Sequence, residues 1–183
     1  ALYAVDAATG EREWTFDAGD GVESSPTVVD GTVYVGANDS NLYAVDMATG
    51  QQEWAFEASF PVSTSPTVAD GTVYAGSTDN NLYAVDATTG EQEWAVLDAG
   101  PTVRSSPTVA DGTVYVGSGD YNLYAVNTGH SKSSEGSRVL QGTLGHHNVF
   151  AEQEPTASFD YSPSSPTTSD TVSFDASSSS DSD

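Results

Sequence analysis

The chain has 183 residues, enough for one domain of moderate size, and carries 27 aspartates and glutamates against 4 lysines and arginines. The net charge of −23 argues against nucleic acid and anionic membrane surfaces as partners, because both are bound through cationic side chains. The absence of cysteine excludes disulfides, thiolate metal sites and cysteine nucleophiles. No stretch approaches the ~18–20 apolar residues of a membrane span, so we expect no direct membrane insertion.

The acidic excess also predicts a protein that works in high salt. Self-repulsion of this size destabilises a compact state at low ionic strength. At about 1 M salt the Debye length falls to about 3 Å, and most of the repulsion is screened. Scarce lysine with abundant aspartate, glutamate and small residues resembles the proteins of extreme halophiles, and we expect a haloarchaeal type. An ordinary acidic secreted protein is the alternative.

Short strands separated by tight turns follow one another along the chain. Two are predicted first, over residues 2–5 and 13–16. Alternating β-branched and aromatic residues predict four more, over residues 24–29, 32–36, 42–46 and 52–56. The same set recurs over residues 63–96 and, incompletely, over 105–126. No segment shows a helical period, so the sequence predicts an all-β fold.

One eleven-residue motif, Ala-x-Asp-x-x-Thr-Gly-x-x-x-Trp, occurs three times at intervals of 40 residues, ending at Trp14, Trp54 and Trp94. A fixed period of this length indicates a repeat architecture. Four antiparallel strands per about 40 residues form the blade of a β-propeller, and an open solenoid of hairpins is the alternative. The candidate structural residues are Ala4, Asp6, Thr9, Gly10, Trp14, Ala44, Asp46, Thr49, Gly50, Trp54, Ala84, Asp86, Thr89, Gly90 and Trp94.

The residue type at each fixed position of the motif has a physical explanation. The glycine permits the positive φ of a tight turn. The aspartate can accept N–H bonds from residues two or three positions on, and the threonine can add another. The tryptophan carries a large, flat, apolar indole with one N–H donor, so it can lie between blades and donate to a carbonyl. The small alanine leaves room for the indole.

The motif resembles the tryptophan-docking motif of the pyrroloquinoline-quinone (PQQ)-type propeller repeat. This resemblance covers residues 1–127. This repeat occurs in quinoprotein dehydrogenases and in non-catalytic relatives such as the lipoprotein of the outer-membrane protein assembly machinery. The resemblance implies that the motif residues hold blades together and do not bind the quinone. A fourth copy, from Leu123 to Gly129, is shortened and no tryptophan follows it. We therefore predict propeller repeats over residues 1–129.

The predicted blades number about three, a partial propeller. Two are complete, the trailing half of another precedes them, and most of a further one follows. Closed propellers usually have 4–8 blades. We therefore expect missing sequence, a protein partner or a second copy of the chain to complete the ring.

The remaining residues have a different character. Residues 130–154 are either a linker or a strand that closes the propeller. Two segments follow, Pro-Thr-Ala-Ser-Phe-Asp-Tyr-Ser-Pro at 155–163 and Thr-Val-Ser-Phe-Asp-Ala at 171–176. With these segments, residues 155–183 resemble the opening strands of a polycystic-kidney-disease (PKD)-type domain, an immunoglobulin-like β-sandwich found on cell surfaces. A sandwich needs roughly 100 residues, so this truncated segment is expected to be disordered alone.

Candidate reactive groups are few. Dehydrogenases of the resembled family use a general-base aspartate and a calcium ion, but the aspartates available here recur in turns: Asp6, Asp30, Asp46, Asp70, Asp86 and Asp111. We expect no catalysis and no cofactor, with PQQ or Ca²⁺ as the alternative. The turns at Asp79 and Asp120 could hold Ca²⁺, although a hydrogen-bonded turn is favoured. The histidines, His130, His146 and His147, are expected in solvent.

The sequence thus predicts a non-catalytic scaffold or protein-binding propeller in an exported or cell-surface protein. The sequon at Asn38 mildly supports export. One alternative is a fragment of a quinone-dependent dehydrogenase whose catalytic residues lie outside this chain. A second is a propeller that senses a small ligand.

Overall fold

A computed structural model describes residues 1–96, 102–128, 160–162 and 173–175. The chain divides into two compact units, Ala1–Leu144 and Gly145–Asp183. Within the described ranges the regular structure is entirely β-strand, so the predicted all-β fold is confirmed. No helix in these ranges is long and apolar enough to cross a membrane.

The described residues of the first unit form four antiparallel sheets, which we number I to IV. Sheet I has two strands, β1 (Leu2–Val5) and β2 (Arg12–Phe16). Sheet II has four: β3 (Thr27–Val29), β4 (Thr32–Gly36), β5 (Asn41–Asp46) and β6 (Gln52–Glu57). Sheet III has four: β7 (Thr67–Ala69), β8 (Thr72–Gly76), β9 (Leu82–Asp86) and β10 (Gln92–Val96). Sheet IV has three: β11 (Thr108–Ala110), β12 (Thr113–Gly117) and β13 (Leu123–Asn127). Sheets II and III are complete four-stranded blades, and sheets I and IV are partial ones, as predicted for a partial propeller.

Tight turns fix the pairing of neighbouring strands. Asp30 and Gly31 both have positive φ, 49° and 87°, as a two-residue hairpin turn of the primed type requires. Only glycine, asparagine and aspartate adopt this backbone readily, and the same Asp-Gly pair recurs at Asp70 and at Asp111. The hairpins of all three sheets therefore share one register.

The first strand of the repeat begins later than predicted. The sequence predicts a strand from Ser24, whereas β3 begins at Thr27. The hydroxyl of Ser24 donates to the carbonyl of Gly36 at 2.9 Å and accepts its N–H at 2.8 Å. A side chain thus replaces backbone pairing here, and Pro26 has no N–H to extend the ladder.

The core lies between successive sheets. Leu2, Trp14 and Phe16 of sheet I pack against sheet II. The opposite face of sheet II packs against valines of sheet III, and sheet III packs in the same way against sheet IV. Sheets II and III are therefore apolar on both faces. Burial of one leucine, such as Leu42 or Leu82, contributes about 1.5–3 kcal/mol.

The second unit is described at two strands only. β14 (Asp160–Ser162) pairs antiparallel with β15 (Ser173–Asp175). Both lie in the segment for which the sequence predicts the start of a sandwich. The predicted linker or closing strand over residues 130–154 lies outside the described residues, as does the rest of 155–183.

Candidate functional site

The turn that contains each repeated aspartate is held by the aspartate itself. Asp46 Oδ1 accepts the N–H groups of Ala48 at 3.1 Å and Thr49 at 2.7 Å, and the Thr49 hydroxyl at 2.7 Å. Thr49 Oγ1 in turn accepts the N–H of Gln51. The hydrogen bonds from Thr49 hold the pKa of Asp46 below its ordinary value. Asp6 and Asp86 form the same turn with the same pKa direction.

Two of the repeated tryptophans, Trp14 and Trp54, contact the turn of the following sheet. Trp14 Nε1 donates to the carbonyl of Met47 at 2.9 Å, and Trp54 Nε1 donates to the carbonyl of Ala87 at 3.0 Å. A methyl group at Gly50 would lie 2.7 Å from Trp14 Cδ2. The glycine is therefore required twice, for its φ of 70° and for the space that the indole occupies.

The other motif positions complete this contact. Each motif alanine lies across the strand pair from its own tryptophan: Ala4 from Trp14, Ala44 from Trp54 and Ala84 from Trp94. Gly90 contacts Trp54 just as Gly50 contacts Trp14. Trp94 packs beside the core between sheets III and IV and lies 5.8 Å from the Tyr74 ring.

A second set of hydrogen bonds, which was not predicted from the sequence, joins the sheets at their first strands. Thr27 Oγ1 donates to the carbonyl of Pro66 at 2.7 Å, and Thr67 Oγ1 donates to that of Pro107 at 2.6 Å. The N–H of Ser25 also donates to Ser65 Oγ at 2.8 Å. The available signal was the triplet Ser-Pro-Thr, which recurs within the repeats at 25–27, 65–67 and 106–108 and occurs outside them at 165–167. We call these contacts the Ser-Pro-Thr seam.

A groove opens between sheets II and III beside Trp54. Its volume is about 480 Å³, and its lining is Val29, Asp30, Thr32, Tyr34, Glu53, Val68, Gly71, Ala87 and Thr88. The buried Tyr34 hydroxyl donates to the Ala87 carbonyl at 3.2 Å, and Thr32 Oγ1 donates to Glu53 Oε2 at 2.9 Å. Burial raises the pKa of Tyr34, and the charges of Glu53 and Asp30 raise it further. The groove combines apolar walls with carboxylate acceptors, an arrangement suited to a cationic side chain.

The turns proposed as the calcium alternative are filled with internal hydrogen bonds. Asp79 Oδ2 accepts the Tyr83 hydroxyl at 2.7 Å and the N–H of Ser59 at 3.1 Å, and Oδ1 accepts the N–H of Asn81 at 3.0 Å. Burial and this Asp79 contact raise the pKa of Tyr83 to about 12. In sheet IV, the hydrogen bond from Tyr124 lowers the pKa of Asp120 to about 2.

The Asp79 turn does not offer the free oxygen ligands of a calcium site. Ca²⁺ takes 6–8 oxygen ligands. Asn81 Oδ1 is a buried acceptor without a hydrogen bond, but both oxygens of the neighbouring Asp79 already accept N–H or O–H groups. In the part of the chain that the structure describes, no three His, Asp or Glu residues form a group that could hold a metal. His130, His146 and His147 lie outside that part.

Residues 1–143 match the family described as outer membrane protein assembly factor BamB. The chain belongs to this family. The predicted PQQ-like propeller repeat is therefore confirmed. Comparison with curated proteins finds no match.

Three solved structures are similar to this BamB-family chain over about two thirds of its length. The quinohemoprotein alcohol dehydrogenase of Comamonas testosteroni is 29% identical, with a TM-score of 0.53 over 62% of this chain and 20% of the other. The quinohemoprotein alcohol dehydrogenase ADHIIG of Pseudomonas putida HK5 is 27% identical, with a TM-score of 0.52 over 66% and 21%. The computationally designed Ika8 protein shares the fold at 20% identity, with a TM-score of 0.62 over 68% and 39%. The chain spans about a fifth of the length of the two dehydrogenases.

Proposed function

We propose that this chain is a non-catalytic scaffold of the BamB type that binds a protein partner, in an exported or cell-surface protein. One observation carries the proposal: the motif aspartates that recur along the repeats, together with Trp14 and Trp54, form hydrogen bonds that hold the fold together. The aspartates hold turns, as Asp46 does, and Trp14 and Trp54 each bond to the next sheet. Because of these hydrogen bonds, we also propose that the repeated motif docks neighbouring blades.

The groove between sheets II and III is the proposed binding surface. Its carboxylates, Asp30 and Glu53, offer acceptors to a lysine or arginine of the partner. The aliphatic stem of such a side chain would lie along Val29 and Val68, as long cationic side chains do on apolar surface. A partner with a basic segment therefore suits both the chemistry of the groove and the net charge of −23.

Calorimetric titration with a short lysine–alanine peptide tests the groove. At about 1 M salt the Debye length is about 3 Å, so only direct charge contacts retain their strength. We expect Glu53→Gln to weaken binding and Glu11→Gln, at an exposed turn residue, to leave it unchanged. Equal effects from both substitutions would assign the binding to net charge and refute the groove.

A second candidate function is favoured by the similarity to the two alcohol dehydrogenases. In that case the chain is part of a quinone-dependent dehydrogenase whose reacting residues lie outside it. Incubation of the complete protein that contains this chain with PQQ and Ca²⁺, followed by gel filtration, separates the two proposals. We expect the chromophore to elute apart from the protein, whereas co-elution with alcohol-dependent dye reduction would favour the dehydrogenase.

Two finer proposals concern setting and organisation. We propose adaptation to high salt of the haloarchaeal type, supported by the 27 acidic residues. We also propose that residues 155–183 begin a PKD-type sandwich, supported by the antiparallel pairing of Tyr161 with Phe174. Unfolding of the chain at increasing salt tests the first, since the screened protein should be the more stable one.

A further inference from the structure

The turn between β4 and β5 contains an N-glycosylation sequon that the proposed function does not use. Residues 38–40 read Asn-Asp-Ser, the Asn-x-Ser/Thr pattern of acceptor sites in surface loops of exported proteins. The pattern occurs once in the sequence. The equivalent turns of sheets III and IV have Thr78 and Gly119 at the first position. The repeat therefore does not require asparagine there.

The backbone at this position is fixed in the same way in successive sheets. The Asn38 N–H donates to the carbonyl of Gly21 at 2.9 Å, and the Thr78 N–H donates to that of Pro61 at 3.0 Å. Each bond joins the turn to the loop that precedes the first strand of the same sheet. The fold thus sets the backbone of the turn, but it does not set the side chain at position 38.

The first and last side chains of the sequon take no part in the hydrogen bonds of the fold. In the part of the chain that the structure describes, neither the Asn38 amide nor the Ser40 hydroxyl has a hydrogen-bond partner. The neighbouring Asn41, in contrast, donates from Nδ2 to the Asp39 carbonyl at 3.3 Å. Among the described residues, Asn81 Oδ1 is the one buried side-chain polar atom without a partner. Nδ2 of the half-buried Asn38 therefore reaches solvent.

The residue that faces this amide has no side chain. A methyl group at Gly21 would lie 3.1 Å from Asn38 Nδ2. Gly19, two residues earlier, has a φ of 49°, whereas Gly21 is not in the positive-φ region, so its backbone does not require glycine. In sheet III the equivalent residue is Pro61. Glycine at position 21 therefore keeps the approach to Nδ2 open on that side.

We propose that Asn38 carries an N-linked oligosaccharide, an assignment that rests on the exported setting of the proposed function. The donor is a lipid-phosphate-linked oligosaccharide of the exporting cell. Asn38 Nδ2 forms a bond to C1 of the first sugar while the bond from C1 to the phosphate oxygen breaks. The lipid phosphate is the leaving group, and Nδ2 gives up one proton to a base of the transferring enzyme. The Ser40 hydroxyl, two positions on, is the group by which the sequon is recognised.

The modified turn lies at the end of sheet II away from the groove. Thr32, which lines the groove, begins β4, and Gly36 ends it just before Asn38. Four steps of about 3.3 Å place the two ends of this strand about 13 Å apart. The turn is also at an end of the sheet, so blades that pack on its faces do not cover it. The oligosaccharide therefore leaves both the groove and the packing of blades unobstructed.

Mass spectrometry of the complete protein that contains this chain, produced in its native cells, tests the proposal. Cleavage after glutamate releases the peptide 24–53, whose two asparagines are Asn38 and Asn41. We expect this peptide to be heavier by the mass of an oligosaccharide. The added mass should be lost in Asn38→Gln and in Ser40→Asn. Ser40→Asn should keep the turn, because Asn80 occupies the equivalent position of sheet III with the same φ of 76°.

Asn41→Gln is the matched control, because Asn41 lies in the same turn but is followed two positions on by Tyr43. It should retain the added mass. An unmodified peptide from protein collected outside the cell overturns the assignment and leaves the exported setting intact. Added mass that persists in Asn38→Gln places the sugar on another residue and also overturns it. Protein found only inside the cell overturns the exported setting itself, and the assignment with it.

Discussion

Sheets III and IV are built from nearly the same sequence, yet one is buried on both faces and the other on one. β8 and β12 read Thr-Val-Tyr-Ala-Gly and Thr-Val-Tyr-Val-Gly and pair in the same register with β9 and β13. All five residues of β8 are buried, whereas β12 alternates. The local sequence thus sets strand and register, and the neighbouring sheet sets burial. Equivalent substitutions should therefore have unequal effects in the two sheets.

The largest difference is expected at the paired leucines. Leu82→Ala should lower the free energy of unfolding by about 2–5 kcal/mol, because it leaves a cavity between sheets III and IV. Leu123→Ala, at the exposed position, should change it by less than about 0.5 kcal/mol. Denaturant titration in high salt measures both. Equal losses would mean that sheet IV is covered on its outer face in solution.

Substitution of a glycine that contacts an indole should reduce stability more than substitution of a glycine with no close neighbour. At Gly90 a new methyl group would lie 2.8 Å from Trp54 Cδ2, whereas at Gly71 it would meet nothing within 4 Å. Both have positive φ, so each alanine substitution carries about 1–2 kcal/mol of backbone strain. Gly90→Ala should lower the melting temperature more than Gly71→Ala, because only the methyl group at position 90 clashes with the Trp54 indole. Thermal unfolding measures both. If the two melt alike, the indole is not held against that turn.

The Ser-Pro-Thr seam offers a smaller contrast of the same kind. Thr67→Val keeps the shape of the side chain but removes the donor to the Pro107 carbonyl, and should cost about 1–3 kcal/mol. Thr108→Val, at the exposed equivalent in sheet IV, should be close to neutral. Denaturant midpoints of the two variants provide the measurement. A neutral Thr67→Val would remove the seam from the interactions that join the sheets.

The smallest effect is expected from acid. The carboxyl pKa values of Asp46, Asp86 and Asp120 are lowered in the folded chain, that of Asp120 to about 2. Their contribution to stability is present above the ordinary value of 3.8 and is lost as pH falls through the folded pKa values. Unfolding curves between pH 5 and pH 2 should show this loss. The Asp120→Asn curve should be flatter, and an unchanged slope would contradict the assignment.

Local features of the fold could be predicted from the sequence because their causes are local. The Asp30-Gly31 turn and the hydrogen bonds around Asp46 depend on residues within a few positions of one another. The Ser-Pro-Thr seam and the groove could not be predicted in the same way. Thr27 bonds to a carbonyl 39 residues away, and an isolated Ser-Pro-Thr triplet does not reveal which backbone group its hydroxyl will face. The late start of β3 has the same origin, since Ser24 bonds to Gly36 across the sheet.

The spacing of the inter-sheet hydrogen bonds has a consequence for how such a chain can grow. Both tryptophan bonds span 33 residues, and the two threonine bonds span 39 and 40. A duplicated segment of 40 residues therefore arrives with every donor and acceptor that its neighbours require. Gene duplication or deletion can lengthen or shorten the array by whole units while each remaining junction keeps its chemistry.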